Sequence, residues 1–210
     1  MKRTAPSTAS PDFTHERAAL DRGARCVVGL DEVGRGPWAG PVVACAARLV
    51  GDAPPGLNDS KKLTAVRREA MVPLLLTCCE VGFGEASVEE IDTLNIRQAT
   101  HLAMRRAVAA LPQAPDYLLI DGNDCPAWVD CPRELLIKGD GRSLSIAAAS
   151  VLAKTRRDQG MVSLAQQHPG YGWESNAGYG TKSHQDGLAK LGVTLHHRRS
   201  FAPIRKMLCQ

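Results

Sequence analysis

Apolar residues along the chain fall into short runs separated by Gly, Pro, Asn and Asp. The runs at Arg25–Leu30, Pro41–Val50, about 78–85, "YLLI" at 117–120 and "ELLI" at 134–137 predict five strands, each bounded by turn-forming residues. Only the Gly- and Pro-rich segment 34–41 separates the first two, which predicts antiparallel neighbours; the later runs are joined through helix-forming stretches that allow parallel crossovers. A mixed sheet follows. Ser87 and Glu90 have capping-box spacing, and Ile96, Ala99, Ala103, Ala107 and Ala110 then share one face, so one helical region is predicted over 87–111. Thr64–Thr77 predicts a second helix, kinked or interrupted at Pro73. The small-residue stretch "SLSIAAASVLAKTRR" predicts a third, with Lys154, Arg156 and Arg157 near its negative end, and a last helix is expected over about 183–191.

The opening "MKRTAPSTASPDFTHER" has no apolar period and reads as a mobile tail. Residues 1–22 are therefore set apart from one folded domain over 23–210. The 210 residues, 44% hydrophobic, suit one core. Lys plus Arg number 26 against 22 for Asp plus Glu, a balance of +4 that tolerates a polyanionic partner without requiring one. Seven cysteines with no CxxC spacing suggest neither a disulfide framework nor a zinc site, and point to a reducing compartment. No apolar run approaches a membrane span and no leader pattern opens the chain, so a cytoplasmic protein without membrane association is expected.

The strongest chemical signal is where the strands end. "VVGLDE" supplies Asp31 and Glu32, "YLLIDGN" supplies Asp121, and "ELLIKGD" supplies Asp140. Carboxyl ends of strands in an α/β sheet form the crevice where ligands collect, so acids distant in sequence can converge there. Four carboxylates so gathered repel one another, and hard divalent cations such as Mg²⁺ or Mn²⁺ relieve that repulsion. Each acid alone also fits a turn or a helix cap, as Asp121 in "DGN" and Asp140 in "GDG" show. Asp31 and Glu32 carry a geometric condition: neighbours on a regular strand point to opposite faces, so sharing one site requires the strand to end or bulge at Glu32.

The blocks "GLDEVGRGPWAGPVVA", "LNDSKKL", "IDTLNIRQATHLAM", "LLIDGN", "KGDGRSLSIAAASVLAKTRRD" and "GYGTKSH", with "SFAPIRKM" near the end, together resemble bacterial ribonuclease HII, the type 2 ribonuclease H. The resemblance implies an α/β ribonuclease H-like fold, a mixed five-stranded sheet flanked by helices with a helical C-terminal extension. It places the metal-binding, catalytic acids on Asp31, Glu32, Asp121 and Asp140, with two ions of Mn²⁺ or Mg²⁺ in the active complex. The implied activity is hydrolysis of the phosphodiester 5′ of a ribonucleotide, in RNA/DNA hybrids and at single ribonucleotides within duplex DNA. The products would be a 3′-hydroxyl and a 5′-phosphate, in the service of removing misincorporated ribonucleotides and RNA primers. A monomer is the default.

The resemblance further implies that backbone groups of Gly34, Arg35 and Gly36 contact the 2′-hydroxyl, which close backbone approach at glycine permits. It places the Tyr179 ring on the sugar that follows the ribonucleotide, and Ser60, Lys61 and Lys62 near backbone phosphates, where a lysine neutralises charge without reading sequence. Thr181, Lys182 and His184 are further candidate phosphate contacts, with His184 expected as a surface histidine. Asp158 is expected to partner nearby arginines, and His196, His197, Arg198 and Arg199 form a basic cluster suited to a nucleic-acid backbone or to solubility. Two other classes of function share part of this signal. A non-catalytic nucleic-acid-binding module would use the basic residues alone, and a small-molecule metal phosphohydrolase would leave Gly34–Gly36 and Tyr179 without a role. Ribonuclease HIII is distinguished by a substantial N-terminal substrate-binding domain.

Overall fold

The centre of the sheet is the strand β1 (Val27–Val33), apolar until its last three residues. It pairs antiparallel with β2 (Val42–Leu49), which pairs antiparallel with β3 (Cys79–Ala86); on its other side it pairs parallel with β4 (Tyr117–Asp121), which pairs parallel with β5 (Arg133–Leu136). The order is β3-β2-β1-β4-β5. The computed structural model describes residues 10–209. The mixed five-stranded sheet expected from the sequence is therefore present, with the short 34–41 connection making its antiparallel pair.

Strand alternation sorts the two faces. Val28 and Leu30 of β1, with Val42, Ala44 and Ala46 of β2, pack on the helix α4 (Ile96–Ala109) through Ala99, Ala103 and Ala107. Cys45 and Ala47 pack on the other face against α5 (Leu144–Gln167) and α2 (Ala65–Cys78). The start of α5 crosses β1 so closely that a Cβ on Gly29 would lie 2.2 Å from the carbonyl carbon of Ser145.

Several helices differ from expectation for identifiable reasons. The region 87–111 is two helices, α3 (Val88–Leu94) and α4, because Asn95 takes φ +71° and its side chain accepts the Gln98 N–H to cap α4. The helix α2 runs through Pro73 without a break: Pro73 and Glu69, whose carbonyl it leaves unserved, are both exposed, while Met71 and Leu75 are buried. The helix α5 continues to Gln167 because Met161 and Ala165 stay buried, so Lys154, Arg156 and Arg157 lie mid-helix and not at its end.

The expected tail is also corrected. Thr14–Asp21 is a helix, α1, whose Ala19 packs with Val27, Tyr117 and Ile146, and whose buried Glu16 accepts the Ser143 hydroxyl at 2.6 Å and the Ser145 N–H at 2.8 Å. An acid here serves the unpaired N–H groups that open α5. Residues 1–9 of that expected tail lie outside the described residues. The C-terminal extension holds α6 (Trp173–Asn176), α7 (Lys182–Leu191) and α8 (Ala202–Leu208) around Trp173, Tyr171, Leu188 and Ile204. It returns to the loop after β1, where Trp38 donates its N–H to Gly178 at 2.8 Å and accepts that of Arg198 at 2.8 Å. No described helix is long and apolar enough to cross a membrane.

Candidate active site

Asp31 and Glu32 sit where β1 outruns β4, since the parallel pairing ends at Leu30 opposite Ile120 while the antiparallel pairing continues through Val33. Asp121 closes β4 at that same level. No bulge occurs at Glu32: Asp31, Glu32 and Val33 pair in unbroken register with Cys45, Ala44 and Val43. The alternation condition is met differently. Glu32 shares the α4 face with Val28 and Leu30, Asp31 shares the α5 face, and Asp121, at the end of the shorter neighbouring strand, lies within electrostatic reach of both. Glu32, Arg35 and Asp121 line a cleft of about 200 Å³ together with Thr100, His101 and Asp124.

Asp140 is not on a strand. It lies in a 3-10 turn, Gly139–Gly141, after β5 has ended at Leu136, and that turn leads into α5. The turn is tied to the sheet because Asp121 accepts the Gly139 N–H at 2.7 Å.

The electrostatics show acids pressed together. Burial, then the charges of Glu32 and Asp121, push Asp31 well above the usual carboxylate range, with the nearby Ser150 hydroxyl opposing. Burial raises Glu32 too, against the pull of Arg35, whose Nη1 stands 3.3 Å from its carboxylate. Asp140 is pushed up to about 6 by burial and by Asp59 and Asp121, against Lys61 at 3.6 Å. An all-oxygen donor set of four carboxylates, only partly offset by Arg35 and Lys61, fits a hard divalent cation. Among the described residues, no three His, Cys, Asp or Glu side chains already stand together as a finished metal cage.

The structure separates the other sequence candidates. Gly34 has φ +95°, which favours glycine, and leads into the exposed Arg35 and Gly36. Tyr179, half exposed, comes to Gly36 from the C-terminal extension, its Cε1 lying 3.3 Å from where a Gly36 Cβ would be. Lys61 and Lys62 are exposed on a 3-10 turn, Ser60–Lys62, beside Asp140 and Gly141. Ser60 is a correction to its reading as a substrate contact: it is buried, and its hydroxyl pairs with that of Ser150 at 2.8 Å behind Asp31. Thr181 caps α7 by accepting the His184 N–H, and Lys182 is exposed, paired with Asp186. Asp158 does partner Arg68 and Lys154, as expected.

Two readings are overturned by burial. His184 is wholly buried, accepting from the Trp173 indole at 3.0 Å and facing His197 at 3.1 Å; His197 and Arg198 are also wholly buried, so they offer no surface to a polyanion. Sequence reasoning also passed over Asp59, which caps the Lys61 turn and raises Asp140, although it lies inside the quoted "NDSKKL" block. His101 and Arg97, which both hold Asp124 at the rim of the Glu32 cleft, gave no signal beyond a helical period.

A family model described as ribonuclease HII matches residues 28–204, a span that holds Asp31, Glu32, Asp121 and Asp140 and most of the C-terminal extension. The chain belongs to the ribonuclease HII family. The ribonuclease HII of Ruegeria pomeroyi is 63% identical over 201 residues, covering 95% of this chain and 86% of the relative. Among solved structures, the ribonuclease H2 of Pyrococcus horikoshii OT3 superposes with a TM-score of 0.71 at 24% identity, covering 87% of this chain and 97% of that one. A structure of Bst-RNase HIII in complex with Mn²⁺ superposes at 0.67 and 20% identity, covering 91% of this chain but 72% of that one. The fold is thus ribonuclease H-like, and membership of the ribonuclease HII family makes the chain a ribonuclease H endonuclease.

Proposed function

We propose that this enzyme hydrolyses the phosphodiester 5′ of ribonucleotides, in RNA/DNA hybrids and at single ribonucleotides within duplex DNA, leaving a 3′-hydroxyl and a 5′-phosphate. The observation that supports it most is the succession of three parts: the close-set acids, the Gly34–Gly36 loop that leaves β1 directly after two of them with Arg35 and Gly36 exposed, and Tyr179 beside Gly36. A role in removing misincorporated ribonucleotides and RNA primers, as a cytoplasmic monomer, accords with that reading.

Asp31, Glu32, Asp121 and Asp140 would hold the cations. Two divalent ions held there, Mn²⁺ or Mg²⁺, would supply Lewis-acid polarisation of a water and charge balance at the phosphodiester. The rest of the work falls to the chain. Backbone groups at Gly34–Gly36 meet the 2′-hydroxyl, the Tyr179 ring lies on the next sugar, and Lys61, Lys62 and Lys182 neutralise phosphates. Ser60 supports the site from behind through Ser150. Asp140→Asn tests this assignment. The variant should bind a duplex carrying one ribonucleotide with near wild-type affinity while its cleavage falls at least about 100-fold, the upper end of what substitutions around metal ligands cost. Undiminished turnover would overturn it.

A further inference from the structure

Two arginines that touch neither acids nor solvent converge on the loop after β1. Arg198 donates from Nε to the Gly40 carbonyl at 2.9 Å, from Nη1 to Arg35 at 3.0 Å, and from Nη2 to Gly34 at 2.6 Å and Pro41 at 3.2 Å. Arg157 donates from Nε to Pro41 at 3.0 Å, from Nη2 to Ala39 at 3.2 Å, and from Nη1 to Ala177 at 2.9 Å. Both side chains are almost wholly buried, and every one of these acceptors is a backbone carbonyl. Among the described residues neither forms an ion pair with a carboxylate. Burial lowers Arg157 to about 10, and burial with repulsion from Arg157 lowers Arg198 to about 9. Burying two like charges side by side costs stability that apolar residues would not cost, so the arrangement calls for another reason.

Peptide geometry supplies it. A trans peptide directs the carbonyl of one residue and the N–H of the next in opposite directions, and the chain has no cis peptide among its described residues. With the Gly34 and Arg35 carbonyls drawn inward onto Arg198, the N–H groups of Arg35 and Gly36 are turned outward. Among the described residues neither N–H has an intramolecular acceptor. They are exposed donors beside Tyr179, next to the acids. Arg157 reaches the same neighbourhood from the other side, since its bond to Ala177 lies two residues before Tyr179, and it packs where a Gly34 Cβ would be.

We propose that Arg198 and Arg157 are positioning residues for ribonucleotide recognition. Arg198 turns the Arg35 and Gly36 donors toward the hydroxyl oxygen of the sugar, and the pair together fixes the spacing between Gly36 and the Tyr179 ring. The inference rests on the proposed function and adds the element that sets its selectivity. Only a planar guanidinium can serve carbonyls on this many sides; an ammonium keeps the charge but has three donors on a tetrahedral centre.

The test uses the full chain with Arg198→Lys and Arg157→Lys. Cleavage efficiency is measured on a duplex with one ribonucleotide and on the same duplex with an uninterrupted RNA strand, and Mn²⁺ affinity is measured by calorimetry. The preference between the two substrates should shrink by about 10-fold or more in Arg198→Lys, with Mn²⁺ affinity within about twofold of wild type, since positioning losses of this order follow small displacements. A purely structural role would lower both efficiencies together. An unchanged preference in both variants, with normal Mn²⁺ binding, overturns the proposal, as does loss of cooperative folding in both. If only Arg198→Lys misfolds, Arg157→Lys decides by the same criterion. A wild-type enzyme that cuts neither substrate would instead refute the proposed function.

Discussion

The carboxylate of Asp121 accepts the N–H of Gly139 at 2.7 Å, so the acid that closes β4 also holds the turn that carries Asp140. On the proposed assignment one side chain thereby has two tasks, a structural one that needs an acceptor and a metal-binding one that needs a charge. Asparagine keeps the first and removes the second. Asp121→Asn should melt at or above the wild-type temperature in the absence of metal, because it relieves repulsion among the acids, yet lose Mn²⁺ affinity by calorimetry. Asp121→Ala should lose both, with the broken bond costing about 1–3 kcal/mol. At about 2–4 °C per kcal/mol for a chain of this size, that is a fall of several degrees. Equal melting of the two variants would contradict the dual role.

The raised acids predict how metal binding depends on pH. Asp140 titrates near 6 in the folded protein against an ordinary 3.8, so between those values the metal-free fold holds a proton that the unfolded chain does not. Its contribution to stability is present at low pH and is lost as pH rises through about 6. Cation binding requires the carboxylate and therefore runs the other way. Mn²⁺ affinity should rise from pH 5 to pH 7.5 with release of protons, detectable by calorimetry in buffers of different ionisation enthalpy. A pH-independent affinity over that range would show that Asp140 takes no part.

The buried histidines give an opposite acid limb. His197 is held near 4, against an ordinary 6.5, by burial and by its neighbour His184. Between those values the unfolded chain takes up a proton that the fold refuses, so stability is lost as pH falls from 6.5 toward 4. The separation corresponds to up to about 3 kcal/mol at that one site. Urea unfolding at pH 7 and pH 4.5 should show a smaller loss for His197→Gln than for the wild type. An equal loss would place the acid sensitivity elsewhere.

These residues mark how far the sequence could be read. Asp31, Glu32 and Asp121 were legible because a charge that ends an apolar run stands out from its surroundings. Asp140 was found by the same rule although the turn, and not a strand, places it. The mixed sheet followed from connection lengths alone. His184, His197 and Arg198 read as solvated because such side chains ordinarily are, and Arg157 read as a charge near a helix end. What buries Arg198 is loop 34–41, met across 164 positions of chain in its bond to Gly34, and no local period carries that information. The helix α1 was hidden for a related reason: its docking depends on Glu16 meeting Ser143, more than a hundred residues away, and not on an apolar stripe.

The close crossing of α5 over β1 is directly testable. A Cβ on Gly29 would meet backbone atoms of Ser145 and Ile146 at 2.2–2.5 Å, and backbone cannot swing aside as a flexible side chain can. Gly29→Ala should cost about 1–3 kcal/mol through overpacking. Because the displaced segment leads from Asp140 into α5, Mn²⁺ affinity should weaken as well. A variant with wild-type melting would show that the crossing is looser than described.

The central claim is that four acids and an adjoining backbone sensor act together on a ribonucleotide within a duplex. Its most direct measurement is end mapping of the products from a labelled DNA duplex containing one ribonucleotide, incubated with the protein and Mn²⁺. The account predicts a single cut on the 5′ side of that ribonucleotide, leaving a 3′-hydroxyl and a 5′-phosphate, and none in the all-DNA duplex. Cutting on its 3′ side, or equal cutting of the all-DNA control, would contradict it.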